Sequence, residues 1–152
     1  MIKNYKVIKR DNAEYYEDSL LTDKVIELIE KHHNFNIHLV ELHKREHGFE
    51  VDAVIWASTR ERKLERYVGI ELKDYDLYKA IEQAVERRQY YHYFYIVTGV
   101  YPDFAFVYSQ YPKLVGQGIG VIYSNPKHEI ASLLHPSTYI RPKQFQKRLL
   151  FG

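Results

Sequence analysis

The chain contains no cysteine among its 152 residues, which excludes a disulfide scaffold, thiolate zinc centres and cysteine nucleophiles. It also lacks any run near the roughly 18 consecutive apolar residues of a membrane-spanning helix. The first six residues, MIKNYK, do not resemble the apolar core of a secretory signal. No repeat or low-complexity linker interrupts the sequence. We therefore expect one soluble, cytoplasmic domain over residues 1–152, with its core at about 14–125 and no membrane association.

A strong excess of charge of either sign is missing as well. The formal net charge is only +2, which is too small to identify a nucleic-acid-binding protein. The distribution is more informative, because no acidic residue follows Glu129 whereas four basic ones do: Arg141, Lys143, Lys147 and Arg148. The segment at about 136–152 is therefore either a solvated basic tail or a phosphate-binding surface.

Tyrosine, by contrast, is abundant, with 15 residues. Most of these side chains are expected to pack in the core and on a sheet, because the ring is largely apolar. Stacking on nucleic-acid bases is the alternative interpretation for some of them.

Hydropathy patterns along the chain alternate between helical and strand periods. In the first helix Leu21, Val25 and Leu28 recur at helical spacing, whereas the run 51–56 is apolar except for Asp52, as in a central strand. Helices are predicted at residues 14–33 and 74–91 and, in short segments, near 104–109 and 128–134; strands are predicted at residues 35–43, 49–57, 66–73, 93–100 and 120–124.

The predicted order, α-β-β-β-α-β-(α)-β, indicates an α/β fold with a mixed sheet of about five strands flanked by helices. The first three strands are expected to form a meander. A helix between the third and fourth strands is a crossover connection, so these two strands should be parallel neighbours.

Charged residues interrupt the third strand near its end. Glu71 and Lys73 point to one face, roughly 6.6 Å apart, because side chains alternate along a strand. Asp52 is the one ionisable group in the apolar run of the preceding strand. If these strands pair as a hairpin, Asp52 lies beside Glu71. Isolated charges are costly to bury unless they are paired or bound to metal.

Two adjacent carboxylates repel each other unless a cation lies between them. Hard oxygen ligands favour Mg²⁺ or Mn²⁺, and the backbone carbonyl of Leu72 is a further candidate ligand. Lys73 could then hold an attacking water or stabilise charge that develops on phosphorus. The helix that follows places Lys79, Gln83 and Arg87 at intervals of four residues on one face, where they suit contacts to phosphate oxygens.

Asp52, then Glu71-Leu72-Lys73, then a helix with Gln83, together resemble the PD-(D/E)XK nuclease superfamily. The pattern is most similar to the small archaeal Holliday-junction resolvases and RecB-type nucleases, and it covers roughly residues 14–100. The resemblance implies a restriction-endonuclease-like fold and Mg²⁺- or Mn²⁺-dependent hydrolysis of DNA. Asp52 and Glu71 would be metal ligands, Lys73 the catalytic lysine, and Gln83 a further active-site residue.

Members of this superfamily often supply another carboxylate from the first helix. Glu17 is the first choice, and Glu14 and Glu27 are weaker candidates. Many members also carry a tyrosine four residues after the glutamine, where this chain has Arg87. The resemblance further implies a homodimer.

The leading hypothesis is thus a metal-dependent DNA endonuclease of recombination, repair, restriction or viral genome processing. A catalytically silent nucleic-acid-binding module with the same fold is the main alternative. A third hypothesis is an unrelated α/β structural domain, in which Asp52, Glu71 and Lys73 would not converge.

Overall fold

A mixed sheet of seven strands organises the part of the chain that the computed structural model describes, namely residues 5–9 and 16–143. The strands are β1 (Lys6–Lys9), β2 (Phe35–Glu46), β3 (Phe49–Thr59), β4 (Glu65–Lys73), β5 (Tyr93–Thr98), β6 (Ile119–Asn125) and β7 (Ile130–His135). The α-helices are α1 (Asp23–His33), α2 (Leu77–Arg87) and α3 (Phe104–Gln117), and 3₁₀ helices cover Tyr16–Leu20, Arg88–Tyr90 and Pro126–His128.

The strands lie in the sheet in the order in which they occur along the chain, β1 to β7. β2, β3 and β4 form an antiparallel meander, and β5 and β6 then add in parallel to β4. β1 pairs in parallel with β2, and β7 pairs antiparallel with β6. The α/β class, the meander and the parallel crossover are therefore confirmed.

The predicted number of five strands is wrong, because the described residues form two more. β1 has only four residues and a weak alternation, so its sequence carries little signal. The helix predicted near residues 128–134 is the strand β7 instead. The apolar run in IASLLH suits either structure, and the decision rests on pairing with β6 across the turn at Pro126–His128.

The predicted helix over residues 14–33 begins as an α-helix only at Asp23, where the Thr22 side chain accepts the Val25 N–H. Such an N-cap satisfies one of the free donors of the first turn. The short helix predicted near 104–109 continues through Pro112 to Gln117.

Two apolar cores cover the two faces of the sheet. Alternate residues of β4, among them Val68 and Ile70, pack with α1 on one face. The other face packs against α2 and α3, where Ala84 and Phe94 are fully buried. Glu71 is an acidic residue on this second face, and only 2% of its surface is exposed.

The segment 136–143 is not a solvated tail. Ile140 N–H donates to the His92 carbonyl at 3.0 Å, and Lys143 N–H donates to the Gln89 carbonyl at 2.8 Å. The buried Arg88 side chain donates to the Thr138 carbonyl at 2.6 Å. Lys147 and Arg148 lie outside the described residues. Within residues 5–9 and 16–143, no helix is long and apolar enough to cross a membrane.

Candidate active site

β3 and β4 separate at Asp52. Their paired residues run from Ser58 opposite Glu65 to Ala53 opposite Ile70, and the pairing stops there. The next acceptor for β4 is a side chain, because Asp52 Oδ2 accepts the Leu72 N–H at 2.8 Å. We call this point, defined by Asp52 and Leu72, the fork.

Beyond the fork, the hairpin of β2 and β3 packs near the C-terminal end of α2. His43 is a residue of β2 and lies opposite β3 near Asp52. Its backbone is left-handed, with φ 53°. At the hairpin tip, His47 stacks on Tyr90 at 4.3 Å, and the Phe49 ring lies 5.6 Å from the same tyrosine. The hairpin tip therefore packs against the 3₁₀ helix Arg88–Tyr90 that follows α2.

Glu71 is buried next to the carboxyl group of Asp52. Burial raises the pKa of Glu71 to about 8, and the negative charge of Asp52 contributes to this increase. The Arg87 guanidinium acts in the opposite direction. A proton or a cation is thus needed here near neutral pH, as expected for two adjacent carboxylates.

Arg87 is the cation beside Glu71 in the structure, and it offsets part of the increase in pKa. Its Nη1 donates to Glu71 Oε1, and its guanidinium lies over the Phe49 ring at 4.9 Å. Its Nε is buried and has no hydrogen-bond partner among the described residues. Arg87 was expected to contact DNA phosphates, and it is placed instead as the counter-ion of Glu71.

The other polar residues of the site lie on β4 and α2. Lys73 is half-buried at the end of β4, on the same face as Glu71. No ion pair joins it to another residue of the described segments. Gln83 is half-buried one turn before Arg87, and Lys79 is exposed one turn earlier still.

Glu17 reaches the same edge of β4 from the 3₁₀ helix Tyr16–Leu20. Its Oε2 accepts the Asp74 N–H at 2.7 Å. The N–H and C=O of one strand residue point to the same side, so the Leu72 carbonyl faces the edge that lies between Asp52 and Glu17. Asp18 anchors the 3₁₀ helix by accepting from His43 Nε2 at 2.7 Å.

The two weaker choices for the additional carboxylate are not found at this edge. Glu14 lies outside the described residues. Glu27 is on α1 and pairs with Lys31 at 2.7 Å, and α1 covers the opposite face of the sheet.

Arg141 and Lys143 are not brought together with the fork. Both are exposed, and their segment bonds to residues that precede β5, whereas Lys73 pairs with Thr98 at the far end of that strand. A strand of six residues is about 20 Å long. The two predicted parts of the DNA surface therefore lie at opposite ends of the strands.

The oxygen donors at the fork fit a hard divalent cation. No group of three or more His, Cys, Asp or Glu side chains converges within the described residues. Mg²⁺, however, is usually held by one or two carboxylates together with waters and substrate phosphates. Asp52, Glu71 and the Leu72 carbonyl are oxygen donors of this kind, and Glu71 is paired with Arg87 in the structure.

The ion pair of Arg87 with Glu71 is the feature that the sequence interpretation missed. The available signal was the arginine at the position where many relatives of the suggested superfamily carry tyrosine. A buried acid in a neighbouring strand requires a positive partner, and the next helix offered one.

Comparisons with known proteins place this chain in no family. No family model matches it, and no curated protein matches it. Among solved structures it is similar to the SPO1766 protein of unknown function from Silicibacter pomeroyi, with 11% identity and a TM-score of 0.46. That match covers 80% of this chain and 72% of the other, and at this level it carries no argument about function.

Proposed function

We propose that the protein is a divalent-metal-dependent endonuclease that hydrolyses phosphodiester bonds in DNA, with an active site of the PD-(D/E)XK type. The observation that supports this most directly is the fork, where Asp52 and Glu71 lie side by side and Lys73 follows on the same face. Two adjacent carboxylates beside a lysine lower the stability of the fold. Their presence at the fork therefore favours a functional role.

In this proposal each residue of the fork has a separate task. Asp52, Glu71 and the Leu72 carbonyl would hold Mg²⁺ or Mn²⁺, and the bound ion would supply Lewis-acid polarisation of the phosphate and a more acidic water. The Lys73 ammonium stabilises the negative charge that grows on the phosphoryl oxygens. Gln83 would orient substrate phosphates from α2, and Glu17, which accepts the Asp74 N–H, lies beside the fork.

A second candidate function is a nucleic-acid-binding module that does not cleave. The observation that favours it is the ion pair between Arg87 and Glu71. A guanidinium beside a buried carboxylate already satisfies the charge that a metal would neutralise, and such bidentate-capable groups bind carboxylates well. In this case the fork would be a structural feature of a DNA-binding fold.

Cleavage assays distinguish the two candidates. Wild-type protein is incubated with branched, flapped, duplex and single-stranded DNA in the presence of Mg²⁺, Mn²⁺ or a chelator. The proposed nuclease cleaves at least one substrate with metal, and Asp52→Asn and Glu71→Gln each abolish cleavage. Glu82→Gln, an exposed acid of α2, serves as the matched control and retains wild-type activity.

Binding without cleavage of any of the four substrates would support the non-cleaving module. Cleavage at wild-type rates by both Asp52→Asn and Glu71→Gln would show that the active site lies elsewhere.

A further inference from the structure

The sheet edge formed by the carboxyl ends of β4, β5 and β6 carries an unusual number of exposed aromatic rings. Lys73 pairs with Thr98 in register, and Gly99 N–H donates to the Lys73 carbonyl at 3.0 Å, so the loops after β4 and β5 lie side by side. Six aromatic residues in or next to these loops are more than half exposed, and together they define the aromatic edge: Tyr16, Tyr75, Tyr78, Tyr101, Phe104 and Tyr108.

Several of these rings contact another aromatic ring. Tyr78 packs edge-on against the buried Phe106 at 5.2 Å, which connects the first turns of α2 and α3. Phe104 and Tyr108 lie one turn apart on α3, with their rings 6.2 Å apart and tilted by only 21°. Phe104 is 83% exposed, so a large part of its ring is open to a ligand.

A cavity of about 390 Å³ opens at the same edge. Tyr16 and Asp74 contribute to its lining, together with the polar side chains of Ser124, Asn125 and Lys127. Asp74 is also the residue whose backbone N–H binds Glu17. Through Asp74, which follows β4 directly, the cavity lies two residues along the chain from Leu72 of the fork.

The charge of this edge is close to balanced. Its three lysines, Lys73, Lys79 and Lys127, are accompanied by four acidic residues: Glu17, Asp74, Asp76 and Asp103. Two of these carboxylates cap helices, since Asp76 accepts the Lys79 N–H and Asp103 accepts the Phe106 N–H.

Duplex DNA presents phosphates outward and is bound chiefly by neutralising them. Single strands carry the same phosphates, so the charge of the edge does not distinguish the two partners. The faces of duplex bases, however, are already stacked on one another and cannot contact an exposed ring. Unpaired bases, in contrast, bind by stacking on aromatic side chains, which tolerates any sequence because every base has a π-face.

We propose that the aromatic edge binds unpaired nucleotides of the DNA substrate, next to the fork. This inference rests on the proposed function and narrows its substrate class to DNA with a single-stranded segment, such as a flap, a gap or a frayed end. Phe104 and Tyr108 provide the stacking platform, and the cavity beside Tyr16 accepts a base.

The test measures binding in a metal-free, chelator-containing buffer, so that no cleavage is needed. The probes are a fluorescein-labelled single strand of about 12 nucleotides, within the usual site size, and the same strand in a duplex. Phe104→Ala and Tyr108→Ala should each weaken single-strand binding by roughly 5- to 100-fold, and duplex binding should change little. Val115→Ala, an exposed apolar residue at the other end of α3, is the control and should bind normally.

Two further substitutions separate stacking from simple apolar contact. Phe104→Tyr keeps an aromatic ring and should bind like wild type, whereas Phe104→Leu keeps the apolar character and should be as weak as Phe104→Ala. Wild-type affinity in Phe104→Leu or in both alanine variants would overturn the proposal.

Loss of a protein–protein complex in the alanine variants, with unchanged DNA affinity, would also overturn it, because the edge would then be an interface between copies of the chain. A wild-type protein that cleaves no DNA refutes the proposed function instead. The metal-free binding measurements then still decide whether single-strand binding depends on the rings.

Discussion

Asp52 Oδ2 accepts the N–H of Leu72 at 2.8 Å, in place of the backbone carbonyl that a continuous β3 would have offered. Asp52 is therefore part of the sheet as well as part of the candidate site. Asp52→Ala removes the acceptor and leaves a buried donor without a partner, which typically costs about 1–3 kcal/mol. Asp52→Asn retains an oxygen acceptor, so it is the substitution that tests chemistry without opening the fork.

Lys73→Ala is expected to lower the single-turnover cleavage rate by about 10²–10³ while metal affinity stays nearly constant. An ammonium that stabilises developing charge matters more in the transition state than in the ground state. Lys73→Arg should restore little of the cleavage rate, because the guanidinium is a broad planar group and not a compact charge. Lys24→Ala, an exposed lysine of α1 on the opposite face of the sheet, is the control. Recovery of the wild-type rate at high Mn²⁺ would show that Lys73 acts through metal binding.

Arg87→Ala is expected to destabilise the metal-free protein by about 3 kcal/mol at pH 9, because it leaves the Glu71 carboxylate buried without its cation. Near pH 6 the loss should be smaller, since Glu71 can take up a proton instead. Urea unfolding at the two pH values measures both effects. The double variant Arg87→Ala with Glu71→Gln should lose this pH dependence. An equal loss for Arg87→Ala at pH 6 and pH 9 would contradict the ion pair as its cause.

The Glu71 carboxyl group should also make stability depend on pH. Its pKa is raised from 4.5 to about 8, so between these values the folded protein holds a proton that the unfolded chain has lost. The stability that this proton provides is complete below pH 4.5 and is lost as the pH rises towards 8. The unfolding free energy of the wild type, minus that of Glu71→Gln, should therefore decrease as the pH rises across this window. Both are measured without metal. A constant difference would refute the assignment.

Metal binding should follow the same group with the opposite sign. Because a ligating carboxylate must lose its proton, Mn²⁺ affinity should rise with pH below about 8, by up to about tenfold per pH unit. Calorimetric titration of the wild-type protein measures this slope directly. A pH-independent affinity would indicate that Glu71 is not a ligand.

Glu17 has either a structural or a metal-binding role, and two substitutions distinguish them. Glu17→Gln keeps an oxygen that can accept the Asp74 N–H, whereas Glu17→Ala does not. If Glu17 only holds the 3₁₀ helix, Glu17→Gln retains Mn²⁺ affinity and Glu17→Ala unfolds at lower urea, by roughly 1 kcal/mol. If it is a ligand, Glu17→Gln weakens Mn²⁺ binding by tenfold or more with little change in stability.

The adjacency of Asp52 and Glu71 could be predicted because it depends on local rules. Side chains alternate along strands, and consecutive strands joined by a short turn pair as a hairpin. The pairing of Arg87 with Glu71 could not be predicted in this way, since it depends on how far a long side chain reaches from a helix packed across the sheet.

The same limit explains the errors further along the chain. β7 is a strand because β6 offers it an edge, and its own six residues do not settle the question. Arg141 and Lys143 appeared to extend the DNA surface because their charge is visible in the sequence, whereas their position at the other end of the strands is not.

The sequential order of the seven strands also governs how the site is assembled during folding. Asp52, Glu71 and Arg87 belong to one contiguous stretch of β3, β4 and α2, so closing their contacts requires only short loops and little chain entropy. Glu17 binds Asp74 across 57 positions, and Ser124 holds the Leu20 carbonyl across 104. Because closing a longer loop costs more chain entropy, we expect the carboxylate pair to form before the 3₁₀ helix closes the edge beside it.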